Sequence, residues 1–361
     1  MNATTAAIDL AKNVFQVALA DGNGRVIEQH RLTRAQFERF FDNRAVARVV
    51  MEACGSAHHW ARVFAARGIE VILLPAHYVR AYVRRSKTDA ADALALLEAV
   101  RCADIVAVKV KSVEQQSLQA LHRTRSLWMA TRTSRINALR GFCRELGLHV
   151  PLGARTGLEA MTWAVADDQS VISAMLRPVM QLLLDEIRVL ETRVAQLERQ
   201  LALIARESLA CRLLMSIPGV GLLTATAIVA ATSGSVAHFK SARHFASWFG
   251  LTPKESSSGG TRRLGRISKM GDCYLRMLLT HGARSVLRAA KVATAKGQQL
   301  IGVRQWALTL QARSNHNKTA CALANKMARI CYAVLRDQTP FGQPATRLTK
   351  KMQRQSFELA H

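Results

Sequence analysis

Apolar positions in the first seventy-five residues recur at a period of two in short runs and then shift to helical spacing. Thr4 to Leu10, Val14 to Ala20 and Arg25 to Leu32 read as strands, with Asp21-Gly22-Asn23-Gly24 as the turn between the last two. The pattern then predicts a helix over Arg34 to Phe41, a buried strand over Ala47 to Glu52, a helix through Trp60 to Ala66 and a strand over Glu70 to Leu74. From Asp89 to Leu146 the spacing is helical, broken near Val150-Pro151-Leu152-Gly153, and a second long helix runs from Met180 to Arg206. In that second helix Leu183, Ile187, Leu190, Val194, Leu197, Leu201 and Ile204 form a heptad seam, which needs a partner helix. An intramolecular hairpin would supply one; dimerisation is the reading favoured at this point.

Three tightly joined strands followed by helix, strand, helix, strand, helix is the element order of a ribonuclease H-like α/β fold. The division expected is a catalytic α/β domain over 1–108, a helical and coiled-coil region over 109–208, a mainly α domain with a helix-hairpin-helix-like turn over 209–340, and a basic tail over 341–361.

Charge narrows the partners. Lys and Arg number 51 against 25 Asp and Glu, a formal charge of +26 over 361 residues, so a polyanion is the expected partner. Residues 281–361 carry fourteen Lys or Arg and two acids. The seven cysteines are scattered without a C-x-x-C pair, which argues against a disulfide framework or a zinc site and for a reducing cytoplasm. No secretory leader or long uncharged apolar run is recognisable, so no membrane role is expected.

The chemistry-bearing positions fall in two places. Asp9 ends the first predicted strand, Glu52 ends the fourth, and Asp89 and Asp92 stand three apart at a helix start, on one face. If the first and fourth strands are neighbours, the four carboxylates converge, an arrangement stable mainly around hard cations such as Mg²⁺ (or Mn²⁺). The aspartate pair also suits a helix N-terminus for its dipole alone. Just upstream, Arg80, Arg84, Arg85 and Lys87 are either a phosphate-binding run or a solvated face. Farther on, Ile217-Pro218-Gly219-Val220-Gly221 has the form of a helix-hairpin-helix turn, with Gly219 and Gly221 allowing a phosphate to approach backbone N–H groups; an ordinary turn is the alternative. Ser256-Ser257-Ser258-Gly259-Gly260 precedes Arg262, Arg263, Arg266 and Lys269, a hydroxyl loop beside cations. Composition favours phosphate binding there over nucleophilic attack.

Six segments in this order, Ile8 to Lys12, Met51 to Gly55, Lys87 to Ala93, Ser216 to Gly221, Gly250 to Pro253 and Ser258 to Arg263, resemble the DEDD-plus-serine transposases of the IS110 insertion sequences. The resemblance spans nearly the whole chain. It implies an N-terminal domain like that of Holliday-junction resolvases, with Asp9, Glu52, Asp89 and Asp92 as metal ligands, and Ser258 as nucleophile, the triple serine leaving Ser256 and Ser257 open. It further implies a recombinase guided by a structured noncoding RNA that pairs with donor and target DNA, acting as dimers that form a tetramer with composite active sites. Arg123, Arg125, Arg132, Arg135, Arg140 and Arg144 would then serve RNA as well as DNA. The competing readings are a resolvase-type endonuclease using water and a non-enzymatic nucleic-acid-binding protein.

Overall fold

A computed structural model describes residues 4–83 and 88–343, in two compact units, one ending at Val113 and the other beginning at Glu114. The first unit is a mixed α/β body. Strands β1 (Thr5–Leu10), β2 (Val14–Ala20), β3 (Val26–Thr33), β4 (Arg48–Glu52) and β5 (Glu70–Leu74) form one sheet in the order β3-β2-β1-β4-β5. The first three strands are an antiparallel meander, while β4 and β5 run parallel to β1. The β2–β3 turn is set by Asp21, whose Oδ1 accepts from the N–H groups of Asn23 and Arg25 at 2.9 and 2.8 Å.

The two faces of this sheet are built differently. Phe15, Val17, Ile8 and Met51 face α1 (Arg34–Phe40) and α2 (Ala57–Ala66), where Phe37, Trp60 and Phe64 complete an aromatic core. Rings of Phe15 and Phe37 stack at 4.3 Å. On the other face Ala7, Ala18 and Ala20 leave little side-chain bulk, so α4, at Asp89–Ala99, packs close on Ala93, Leu96 and Leu97. A short helix α3 (Ala76–Val79) follows β5 in the chain.

The helical run expected from Asp89 to Leu146 is two helices. A segment rich in β-branched residues separates α4 from α5 (Val113–Glu145), and within it the Val108 N–H bonds to Leu73 O at 2.7 Å, extending the sheet edge. In the second unit α5, α6 (Ala154–Ala166) and α7 (Arg177–Glu207) pack together. Of the expected α7 seam Ile187, Leu190, Val194, Leu197 and Leu201 are buried, whereas Leu183 and Ile204 are half-buried and Met180 and Leu184 extend the buried stripe instead. Its cover is α5 of the same chain, through Ile136, Leu139 and Cys143 at one end and Leu118 at the other. Arg125–Glu198, Arg132–Glu191 and Arg135–Glu186 clip the two helices at 2.7, 2.5 and 2.7 Å. The heptad is thus satisfied by the intramolecular hairpin and does not itself call for a second chain.

The rest of this unit is a helical body: α8 (Leu209–Met215), α9 (Leu222–Thr232), α10 (Ala242–Trp248), α11 (Cys273–Ala295), α12 (Gly302–Ala312) and α13 (His316–Asp337) share one core. From it extends a hairpin of β6 (Pro253–Glu255) and β7 (Leu264–Ile267). No helix among the described residues is long and apolar enough to cross a membrane.

Candidate functional site

Strand register decides where the carboxylates point. In the parallel β1–β4 ladder Thr5 to Ile8 pair with Arg48 to Met51, so the next step places Asp9 beside Glu52 at the strands' C-terminal ends. Alternation puts Asp9 on the face of Ala7 and Glu52 on the face of Val50. Ala7 and Val50 both belong to the core beneath α4. Asp9 and Glu52 therefore face the same side as the helix that carries Asp89 and Asp92 in its first turn. Thr88 caps that helix by accepting from the Ala91 N–H at 3.2 Å, leaving the aspartates uninvolved in capping.

All four donors are hard oxygens on one side of one sheet, which suits a divalent cation. Among the described residues, however, no three acidic, His or Cys side chains stand together closely enough to hold an ion. The convergence expected from sequence reaches a shared face and goes no farther. Arg84, Arg85 and Lys87 lie outside the described residues; Arg80 is exposed on the short helical turn after α3.

The serine segment is a hairpin, where sequence suggested a flexible loop. Ser258 and Thr261 exchange backbone bonds at 3.3 and 3.0 Å across Gly259 and Gly260, both at positive φ (56° and 76°). This is the two-residue turn that Gly-Gly favours. The Ser256 N–H bonds to Arg263 O at 3.0 Å, so the pairing runs from Glu255–Leu264 to the tip. One face then carries Glu255, Ser257, Arg262 and Leu264, and the other carries Ser256, Ser258, Thr261 and Arg263.

The three serines are not equivalent. Ser257 Oγ donates to Glu255 Oε1 at 2.7 Å and accepts from the Arg263 N–H at 3.1 Å. That bond, and then Arg262 at 3.3 Å, hold the Glu255 carboxyl below the usual carboxylate range. The Ser258 hydroxyl is exposed and makes no hydrogen bond within the described residues. Arg263, not Arg262, shares its face.

The hairpin's base is held by contacts that sequence reasoning missed. A Cβ on Gly250 would lie 2.2 Å from Met270 O, and one on Gly271 2.1 Å from Trp248 O, so both ends of the insertion are pinched together at glycines. Arg276 Nη1 donates to Phe249 O at 3.0 Å, and Lys269 takes a left-handed φ of 56°. The Gly-Leu-Thr-Pro run was the visible signal for half of this pinch.

Gly219 and Gly221 separate in role. Gly219, at φ 85°, is pressed against α11: a Cβ there would meet Gly282 O at 2.7 Å and Val286 Cγ2 at 2.7 Å. Gly221 is exposed at the N-cap of α9 with open space beside it. Of the arginines expected to serve RNA, Arg125, Arg132 and Arg135 pair with α7, and Arg140 donates to Pro151 O and Gly153 O at 2.8 and 2.7 Å. By contrast, Cys273 through Arg336 contains eleven Lys or Arg and no Asp or Glu. An open groove of about 380 Å³ between α11 and α12 is lined there by Arg288, Lys296 and Arg304.

The comparisons match this arrangement along its length. Residues 6–146 match the DEDD IS110 family model, described as "Transposase", and residues 211–298 the family described as "Transposase IS116/IS110/IS902 family". A "Probable family 20 transposase" of Pseudomonas aeruginosa is 41% identical over 341 residues, covering 94% of this chain and 98% of that one. This chain belongs to the IS116/IS110/IS902 family of transposases. The "Transposase for insertion sequence element IS1111A" of Coxiella burnetii is 36% identical, with 92% and 90% covered. That for IS1328 of Yersinia enterocolitica is 30% identical, with 95% and 99% covered. The transposase is accordingly an enzyme acting on DNA, which removes the reading of a purely binding protein. DEDD transposase domains are generally dependent on a divalent metal.

Proposed function

We propose that this transposase is an RNA-guided DNA recombinase that cuts and rejoins strands through a phosphoserine intermediate on Ser258. The observation that carries this reading is the Ser258 hydroxyl, exposed and uncommitted at a Gly-Gly hairpin tip while Ser257 is tied to Glu255. Its oxygen attacks a DNA phosphorus as the serine proton passes to water, and the P–O bond to one strand breaks, its departing oxygen taking up a proton from water to leave a hydroxyl end. The ester formed retains the bond energy, so a second DNA hydroxyl can reverse the step and rejoin without a nucleotide cofactor. Arg263, on the same hairpin face, offers a guanidinium to the charge that develops on the phosphoryl oxygens.

Asp9, Glu52, Asp89 and Asp92 are the residues that would hold Mg²⁺ or Mn²⁺; the ion, when bound, lowers the proton affinity of the attacking oxygen and neutralises the leaving one. The sheet order β3-β2-β1-β4-β5 with carboxylates at the ends of adjacent parallel strands supports a ribonuclease H-like, resolvase-like domain. The net charge of +26 suits a guide RNA as well as donor and target DNA, and base pairing would carry sequence choice. Paired dimers would bring serine and carboxylates of different subunits together, and the cytoplasmic nucleoid is where such an enzyme would work.

The test is denaturing electrophoresis of purified protein, its element's RNA, Mg²⁺ and labelled donor and target DNA. A labelled protein–DNA band lost in Ser258→Ala supports the proposal. Cleaved DNA without any adduct refutes it and leaves the water-using nuclease.

A further inference from the structure

The cross-strand row that holds the carboxylates continues past them. Asp9 stands opposite Gln16 in the β1–β2 ladder, and Gln16 stands opposite Arg31 in the β2–β3 ladder. On the other side the β1–β4 register sets Glu52 next to Asp9, and Glu52 pairs with Leu74. Residues directly across from one another share a face. Ala18, Ala20 and Leu74, all packed under α4, fix that face as the α4 side. Arg31, Gln16, Asp9 and Glu52 thus form one line along it.

Position along the line assigns roles. The helix α4 covers β1 and β2, whereas Arg31 on β3 is exposed and Gln16 is half-buried between it and Asp9. On its own face Arg31 is flanked along the strand by Gln29 and Thr33, both neutral. Glu28, the nearest acid in sequence, is held by His30 and Arg44 at 2.7 and 2.8 Å on the opposite face. Two strand spacings, about 10 Å, separate the Arg31 and Asp9 backbones. That gap suits a phosphate group gripped by an extended arginine from one side. A carboxylate edge repels a polyanion, and a cation at its open end offsets that repulsion where the phosphate must sit.

We infer that Arg31 anchors a DNA phosphodiester beside the Asp9–Glu52 edge, its guanidinium fork holding a non-bridging oxygen while the Gln16 amide donates to the same phosphate. The inference rests on the proposed role of that edge in phosphodiester chemistry.

The experiment uses full-length protein with its element's RNA and labelled DNA, comparing wild type with Arg31→Ala, Arg31→Lys, Gln16→Ala and Asp9→Asn. For Arg31→Ala the expected result is a rise in KM for DNA of about tenfold, the loss expected for one charge-assisted contact. The slope of log affinity against log salt should fall by about 0.9, as for one phosphate contact. Arg31→Lys should restore part of the affinity, Gln16→Ala should raise KM less, and the melting temperature of Arg31→Ala should match wild type, since the side chain is exposed. Cleavage abolished in Asp9→Asn but unchanged in Arg31→Ala, within twofold in KM, overturns the anchoring role alone. Cleavage that persists in Asp9→Asn overturns it together with the reading it rests on.

Discussion

His122 makes the stability of the second unit depend on pH. It is 4% exposed, on α5, with Nε2 3.0 Å from Thr226 Oγ1 on α9 and Nδ1 3.0 Å from the Tyr274 hydroxyl on α11. The Thr226 proton goes to Leu222 O at 2.7 Å, so Nε2–H donates to Thr226 and Nδ1 accepts from Tyr274. A neutral ring fits this network. Burial, and then the nearby Arg125, lower its pKa from 6.5 to about 4. The unfolded chain therefore binds the proton first as pH falls. The stabilisation is complete above pH 6.5 and is lost progressively as pH falls toward 4. At pH 5 the loss is about 2 kcal/mol, taking 1.36 kcal/mol per unit of pH between the two values. In a unit of this size that is a drop of roughly 4–8 °C in Tm. His58 in the first unit is lowered to about 4 as well, by burial, Lys111 and Arg62, so wild type alone would not isolate His122. The comparison is His122→Gln, which keeps a donor and an acceptor but does not titrate. Thermal unfolding at pH 7.5 and pH 5 should show a smaller acid-induced drop in the variant, by about 2 kcal/mol. Equal drops in both proteins would refute a neutral, buried His122.

The glycine pair of the α8–α9 turn gives a direct contrast. Gly219→Ala should destabilise by about 2–5 kcal/mol, from a left-handed backbone and overpacking against Gly282 and Val286, whereas Gly221→Ala should stay within about 0.5 kcal/mol in urea unfolding. At the hairpin tip, Gly260→Val should lower strand cleavage sharply with little change in Tm, and Gly259→Asn should be tolerated because Asn-Gly takes the same turn; equal activity in both would count against the turn geometry. Leu139→Ala, in the fully buried α5–α7 contact, should cost about 2–5 kcal/mol by chemical denaturation. Replacing Arg288, Lys296 and Arg304 together by Ala should reduce the salt slope of nucleic-acid binding by up to about 2–3, as measured by fluorescence anisotropy.

The N-terminal sheet was largely legible because its signals are local. Val14–Ala20 and Glu70–Leu74 appear at their expected bounds, and the turn at Asp21 is where its residues place it. The four carboxylates reach one face because strand alternation and helix spacing are simple periodicities. How near they come was not legible, since that depends on the approach of α4 over Ala7, Ala18 and Ala20, a packing property. Pairing of Val108 with β5 broke the expected long helix, a long-range bond that no local window contains. Likewise, a heptad pattern states that a helix has a partner and says nothing of which chain supplies it. The serine hairpin was hidden by its composition: Ser, Gly and Arg read as loop, and only the Gly-Gly step carried the turn.

The contrast between the two candidate centres bears on how the reaction is controlled. Asp9 and Glu52 end strands packed on both faces, and Asp89 and Asp92 begin a helix fixed to that sheet, so these groups sit on a rigid frame. Ser258 sits on a two-stranded ribbon exposed on both faces from Pro253 to Arg266. A lone hairpin of that kind is marginally stable in water, and its anchoring lies at its base, in the glycine pinch, Arg276 and the Asn325 amide bonded to Leu251 O. Its cations, Arg262, Arg263 and Arg266, are exposed, so an anionic partner would add contacts that order it. Under the proposed mechanism, docking of nucleic acid is therefore also what positions the nucleophile. The free enzyme would hold its carboxylates on a fixed frame and its serine unaligned. Under that mechanism such a division would protect DNA from cleavage until the complete assembly forms, with the control lying in the ribbon's missing core.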